Sequence, residues 1–298
     1  MNIEIPPGYG LRILPSSEWS GVDIADPTSY LEVFMDKLHV WEAPKPGNRY
    51  ILGVDVSDGI GQDRSVIDVQ RVATIHEPAE QVAQFITDTR DPSELALVVD
   101  PIGRFYKDDD GQEALAAIEC NNHGLTTQSE LQGHLGYSNF YVWQYMDRRD
   151  VRRRFSTAFG WYTTRRTRPM LIDFFRKAIE NVDSLTNQPD LILNSPFTIA
   201  ELRDFETKGH VWEAGAAPGA HDDCIFAAAI AYLAGHIDRY SETEPLNEQR
   251  RRLNEERLRK EFEEENTGMR RSYQSMAISV DQMNGQEEQV YGNWEQGE

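Results

Sequence analysis

The chain has 298 residues, 39% of them hydrophobic, with a formal net charge of −20 and a mean hydropathy of −0.60. That length holds one sizeable domain or two small ones, and the low hydropathy indicates that part of the chain is solvated rather than packed. The two cysteines, Cys120 and Cys224, stand in no metal-type spacing, which argues against a disulfide scaffold or zinc site; no apolar run reaches the ~18 residues of a membrane span, and the acidic balance argues against a protein that coats nucleic acid over its whole surface.

Residues 1–48 carry short apolar stretches without a period. They run into Trp41-Glu42-Ala43-Pro44-Lys45-Pro46-Gly47, where two prolines and a glycine stop regular structure. They read as an N-terminal extension or linker. Met1-Asn2-Ile3-Glu4 opens no secretory signal, so a reduced, cytosolic compartment is expected. Residues 50–56 are apolar enough for a central strand, and Asp58-Gly59-Ile60-Gly61-Gln62-Asp63 is turn chemistry. Residues 65–72 alternate and predict a second, antiparallel strand; residues 80–86 predict a third. Asp91-Pro92-Ser93-Glu94 predicts a helix start with Asp91 as N-cap and Pro92 at the first helical position, running to about residue 106 with Pro101 as a kink.

A fourth strand is expected over 114–119, a helix over 124–135 and a fifth, aromatic strand over 140–145. Residues 169–179 place Leu171, Ile172, Phe175 and Ile179 on one face of an amphipathic helix. Ser195-Pro196 opens another helix, residues 211–213 suggest a short strand, and residues 222–234 form a helix apolar almost all round, hence buried. Beyond His236 the composition turns charged, then polar. The expected organisation is an extension over 1–48, one α/β domain over 49–237, and a charged C-terminal arm over 238–298, helical or partly disordered. Three strands, helix, strand, helix, strand and then helices describe a mixed five-stranded sheet flanked by helices. That order resembles the RNase H-like fold.

Three acidic positions stand out because each sits where an element ends. Asp55 and Glu119 close apolar, strand-like runs, and Asp222-Asp223 opens the apolar helix. Brought to one sheet edge, these carboxylates would repel unless divalent cations stood between them. Two Mg²⁺ or Mn²⁺ ions held this way make a phosphodiester-cleaving site, and hard oxygen ligands favour these ions over zinc. Adjacent acids on a helix point about 100° apart, so Asp222 and Asp223 cannot face one ion equally, and the sequence leaves open which is the inner ligand. Asp58 and Asp63 either cap the glycine-rich turn or support the site from behind. His123 is a turn residue, a DNA-backbone contact or a proton-transfer group, and His221 is placed to assist either neighbouring acid.

Between Asp147 and Lys177 there are ten Lys and Arg against three Asp, a basic island in an acidic chain. Arg148, Arg149, Arg152, Arg153, Arg154, Arg165, Arg166 and Arg168 are its members relevant to phosphate contact.

Four stretches carry a resemblance to a known family. They are Trp41-Glu42-Ala43-Pro44 leading to Tyr50-Ile51-Leu52-Gly53-Val54-Asp55-Val56-Ser57-Asp58-Gly59; Ile118-Glu119-Cys120-Asn121-Asn122-His123-Gly124; Phe159-Gly160-Trp161-Tyr162-Thr163-Thr164 with Thr167-Arg168-Pro169; and Glu201-Leu202-Arg203-Asp204-Phe205 leading to Gly219-Ala220-His221-Asp222-Asp223. In this order they resemble the nuclease domain of the tailed-bacteriophage terminase large subunit. The resemblance implies a metal-dependent endonuclease that cuts concatemeric double-stranded viral DNA during genome packaging, in the host cytoplasm. It maps the family's acids onto Asp55, Glu119 and the Asp222/Asp223 pair. It also implies a packaging ATPase, a portal and a small terminase subunit as partners. The sequence departs from the family in having no GxxxxGK[ST] motif, so no ATP site is expected in it and translocation must come from elsewhere. Three other readings compete: another RNase H-like nuclease, such as a Holliday-junction resolvase; a sugar-kinase or actin-like ATP-binding domain, against which Asp58-Gly59-Ile60-Gly61 lacks the usual Thr/Ser phosphate-loop pattern; and a non-catalytic docking module of the packaging motor.

Overall fold

The structure is a computed structural model describing residues 12–15, 35–61, 63–74, 77–121, 123–146, 155–182, 187–206 and 214–241. The described residues up to Ser241 form one compact unit, and the expected C-terminal arm beyond Ser241 lies outside the described residues. No helix among the described residues is long and apolar enough to cross a membrane.

The expected meander is present. Strands β3 (Tyr50–Asp55), β4 (Ser65–Arg71) and β5 (Ala79–Thr87) pair antiparallel in succession. Strand β6 (Leu115–Ile118) then joins β3 parallel, Ile51 facing Leu115 and Val54 facing Ile118. A parallel neighbour needs a crossover, which α1 (Pro92–Phe105) provides. Its start follows local chemistry: Oδ1 of Asp91 accepts from the N–H of Ser93 (2.8 Å) and Glu94 (2.9 Å), and Pro92 gives up no needed donor. Leu95, Val98, Val99 and Ile102 recur at helical spacing and are buried, and Pro101 sits within the helix without ending it.

The sheet is wider than the five strands read from the sequence. Strands β1 (Arg12–Pro15) and β2 (Lys37–Val40) extend it, giving the order β1-β2-β5-β4-β3-β6. Both lie in the stretch expected to be an extension, and β2 is paired to β5 through Leu38, His39 and Val40. The fifth strand also differs from expectation. The chain touches the outer edge of β6 at Phe140, leaves it as a separate hairpin of β7 (Val142–Met146) and β8 (Phe155–Phe159), and returns to β6 at Trp161. Gly160 makes the return. Its φ of +74° is open to glycine at little cost, and a Cβ there would lie 2.3 Å from Cys120 Sγ. One edge of β6 is thus shared by two stretches of chain, an arrangement alternation alone does not signal.

Helices α1 and α2 (Gly124–Gly133) lie together, and α1 packs on one face of the sheet. On the other face pack α3 (Thr167–Glu180), α4 (Pro196–Arg203) and α5 (Asp223–Ser241). In α3, Leu171 and Phe175 are buried while Ile172 and Ile179 are partly so. In β3, Tyr50, Leu52 and Val54 join the core on the α1 side, whereas Ile51 joins the α5 side, so by the period of two Gly53 and Asp55 also face α5. Short strands β9 (Leu191–Ile192), β10 (Phe205–Glu206) and β11 (Gly215–Ala216) complete the described elements, β9 pairing with β5. The strand expected over 211–213 lies outside the described residues.

Candidate active site

Two contacts bring α5 onto β3. A Cβ on Gly53 would lie 2.0 Å from the Ala227 carbonyl oxygen and 2.6 Å from the Ala231 nitrogen, so the helix backbone rests directly on the strand. Further along, Gly235 packs over Ile51. From Ile51 to Gly53 the facing helix residue thus moves from 235 back toward 227, which sets α5 antiparallel to β3. Two more strand residues, roughly 6–7 Å, lead to Asp55, and the helix over the same distance leads back to its first turn. Asp55 therefore meets Asp222 and Asp223.

Glu119 arrives from the neighbouring strand. Its N–H donates to the Val54 carbonyl (2.8 Å), and it is bridged on its other side by Trp161. Burial first, then the charges of Glu119, Asp223 and Asp222, hold the Asp55 carboxyl well above the usual carboxylate range. Asp223 acts on Asp55 more strongly than Asp222 does.

The other two acids are held from outside. Asp223 Oδ2 accepts weakly from the Arg64 N–H (3.4 Å) and lies 3.3 Å from His221 Nδ1, a contact that raises the imidazole pKa above its usual value. Asp222 is gripped by Arg168, whose guanidinium donates to Asp222 Oδ2 (3.0 Å) and to the Ala214 carbonyl (3.0 Å) and lies 4.2 Å from the centre of the Phe226 ring. Burial still raises the Asp222 pKa, outweighing Arg168. Among the described residues no three carboxylate, imidazole or thiol groups close on one point as they stand. Each of Glu119, Asp222 and Asp223 has a partner of its own, Asn121, Arg168 and His221 respectively. The donor set is all oxygen and its members repel, the chemistry that suits a hard divalent cation.

The remaining expected site residues divide. Asp58 caps its own turn, Oδ1 accepting from the Ile60 N–H (3.3 Å). Asp63 is exposed, next to Arg64. His123 is exposed at the start of α2 and makes no capping bond. Arg165 and Arg166 are exposed. Arg168, also expected on DNA, is paired with Asp222, because packing α3 against α5 brings the cation beside that carboxylate. Arg148, Arg149, Arg152, Arg153 and Arg154 lie outside the described residues, in the segment joining β7 to β8.

Two functional candidates were not singled out from the sequence. Asn121 lies in one of the stretches that carry the resemblance but has no role assigned there; its amide N–H₂ donates to Glu119 Oε1 (3.2 Å) and to the Thr163 carbonyl (2.8 Å), tying the acid to the next stretch of chain. Glu201 caps α5: its Oε2 accepts from the N–H of Cys224 (2.9 Å) and Ile225 (3.2 Å), and burial pushes its carboxyl up to about 7. Its signal was faint but present, an acid sharing a helix face with Phe197 and Thr198.

No protein-family model matches the sequence. This chain is similar to phage large terminase nucleases. One is the large terminase nuclease from thermophilic phage G20c with bound magnesium: 18% identity, 66% of this chain and 86% of that one covered, TM-score 0.46. Another is the Thermus phage P74-26 large terminase nuclease domain: 18% identity, 74% and 90% covered, TM-score 0.44. A likeness this distant decides nothing about chemistry, which the side chains must carry.

Proposed function

We propose that this chain is a divalent-metal-dependent endonuclease that hydrolyses phosphodiester bonds of double-stranded DNA. The observation that carries the reading is the gathering of Asp55, Glu119, Asp222 and Asp223 at one end of β3 and α5, close enough for three of them to raise the Asp55 pKa. Structural carboxylates are rarely brought together without a cation. Two Mg²⁺ or Mn²⁺ ions, held by Asp55, Glu119 and the Asp222/Asp223 pair, would supply the charge that activates a water and stabilises the leaving oxygen. Asp223 is the stronger candidate of the pair, since Asp222 is already matched by Arg168. Asn121 orients Glu119. Between Thr163, which anchors Asn121, and Arg168, which anchors Asp222, the chain exposes Arg165 and Arg166, placed to bind backbone phosphates. With the sequence resemblance, this extends to cleavage of concatemeric viral DNA during packaging, with an ATPase partner for translocation.

The test is plasmid cleavage by the full chain with Mg²⁺, Mn²⁺ or EDTA, beside Asp55→Asn and Glu119→Gln. Metal-dependent linearisation lost in both variants is the expected result. DNA binding without cleavage by the wild type under every metal condition overturns the reading, and preferential cutting of four-way junctions would move the substrate to a resolvase type.

A further inference from the structure

The nuclease reading leaves buried Glu201 without a role. Glu201 is 8% exposed, and its Oε2 satisfies two amides of the first turn of α5, Cys224 and Ile225, that have no partner within the helix. Its Oε1 is buried with no hydrogen-bond partner among the described residues. Half-satisfied buried carboxyls are costly, so helix packing alone is a poor reason for an acid here.

The helix that carries Glu201 is itself fixed to the sheet. Ser195 caps α4, its Oγ accepting from the N–H of Phe197 (3.1 Å) and Thr198 (3.2 Å) and donating to Gln84 Oε1 (2.7 Å). Gln81 Oε1 accepts from the Ser195 N–H (2.7 Å), and Gln84 Nε2 donates to Thr198 Oγ1 (3.0 Å). Beneath them, buried Asp68 accepts from the side-chain amides of Gln70, Gln81 and Gln84. A continuous buried polar network thus runs from β4 and β5 into α4.

We infer that Glu201 is a positioning residue for the carboxylate site: by capping α5 from α4 it sets the rotation of the first turn, and with it the direction in which Asp223 faces Asp55. The inference rests on the nuclease reading. Asp222 and Asp223 immediately precede the capped amides, and neighbours on a helix differ by about 100° in direction. A rotation of a fraction of that angle takes Asp223 away from Asp55. Arg168 pins Asp222 from α3, so the turn is held by an acceptor on its amides and a cation on its leading acid.

The experiment uses the full chain with Glu201→Gln, Glu201→Ala and Glu201→Leu. Gln keeps an acceptor for both amides, and Leu keeps much of the volume without one and stands in for Ala should Ala not fold. Plasmid cleavage gives kcat and KM at a temperature below every melting point, and calorimetric titration gives the affinity for Mn²⁺. Ala or Leu should lower kcat and Mn²⁺ affinity each by about 10–100-fold, with KM for plasmid unchanged, and Gln should recover most of both. Ala and Leu with wild-type kcat and Mn²⁺ affinity, or Gln as impaired as they are, overturns the positioning role while wild-type cleavage keeps the nuclease reading. A wild type that neither binds Mn²⁺ nor cleaves overturns both.

Discussion

Gly53→Ala is the substitution that probes most directly how the fold makes the site. The added Cβ would meet the Ala227 carbonyl oxygen at 2.0 Å, the Ala231 nitrogen at 2.6 Å and the Ala231 Cβ at 2.8 Å. Two of these atoms belong to the helix backbone, so no rotamer change relieves the contact. Restoring ordinary contact at 3.4 Å requires α5 and β3 to separate by about 1.4 Å. Overpacking of this kind costs ~1–3 kcal/mol, and an immovable obstacle places it near the upper end. For a unit of this size, about 3 kcal/mol lowers the melting temperature by roughly 6–12 °C. The displacement also carries the start of α5 away from Asp55, and a misplacement of about 1 Å at reacting groups costs on the order of 100-fold in rate. Thermal melts and Mn²⁺-dependent plasmid cleavage, both against wild type, read the two effects. A variant melting within 2 °C of wild type by these ~2–4 °C per kcal/mol, and cleaving at its rate, would refute the claim that the Gly53 contact sets the site.

Asn121→Ala should lower cleavage by about 10–100-fold with the melting temperature little changed, since Glu119 loses its orienting donor; equal rates would show that Glu119 needs no such support. Arg168→Ala should weaken cleavage while leaving DNA affinity unchanged, because its guanidinium serves Asp222, whereas Arg165→Ala with Arg166→Ala should weaken DNA binding and reduce its salt slope by about 2; filter binding across a salt series separates them, and the opposite pattern would restore Arg168 to the DNA-contact set. Burial holds the Asp68 carboxyl at about 7 against an ordinary 3.8, so the folded chain keeps a proton that the unfolded chain releases above about pH 4. Stability of the metal-free protein should therefore fall as pH rises from about 4 to about 7, by up to ~4 kcal/mol from this group. Asp68→Asn should remove that part of the slope in urea melts at pH 4.5 and 7.5, and an unchanged slope would refute the assignment.

The meander β3–β5, the capped start of α1 and the buried helix α5 were legible in the sequence, because each is written in local signals: a two-residue or helical period, a cap, a turn. The strand-end and helix-start placement of Asp55, Glu119 and Asp222-Asp223 was legible for the same reason. The stretch before residue 48 showed no period, yet β2 gains its order from β5, a partner more than 40 residues away. Residues 140–145 have the composition of a strand, but which edge a strand joins is decided by competition between distant segments, and here Trp161 takes part of the edge expected for them. The side chains that aim the site were likewise settled by tertiary packing. Charge counting places Arg168 in a basic island and cannot distinguish a cation destined for a phosphate from one destined for Asp222. Asn121 carries no local mark of its task and Glu201 only the faint one of an acid sharing a helix face with Phe197 and Thr198, since a hydrogen bond to Glu119 or to the amides of α5 exists only once separate elements have come together. Sequence by itself determined which acids lie at the ends of which elements; the docking of α5 on Gly53 and the edge of β6 determined that those ends meet.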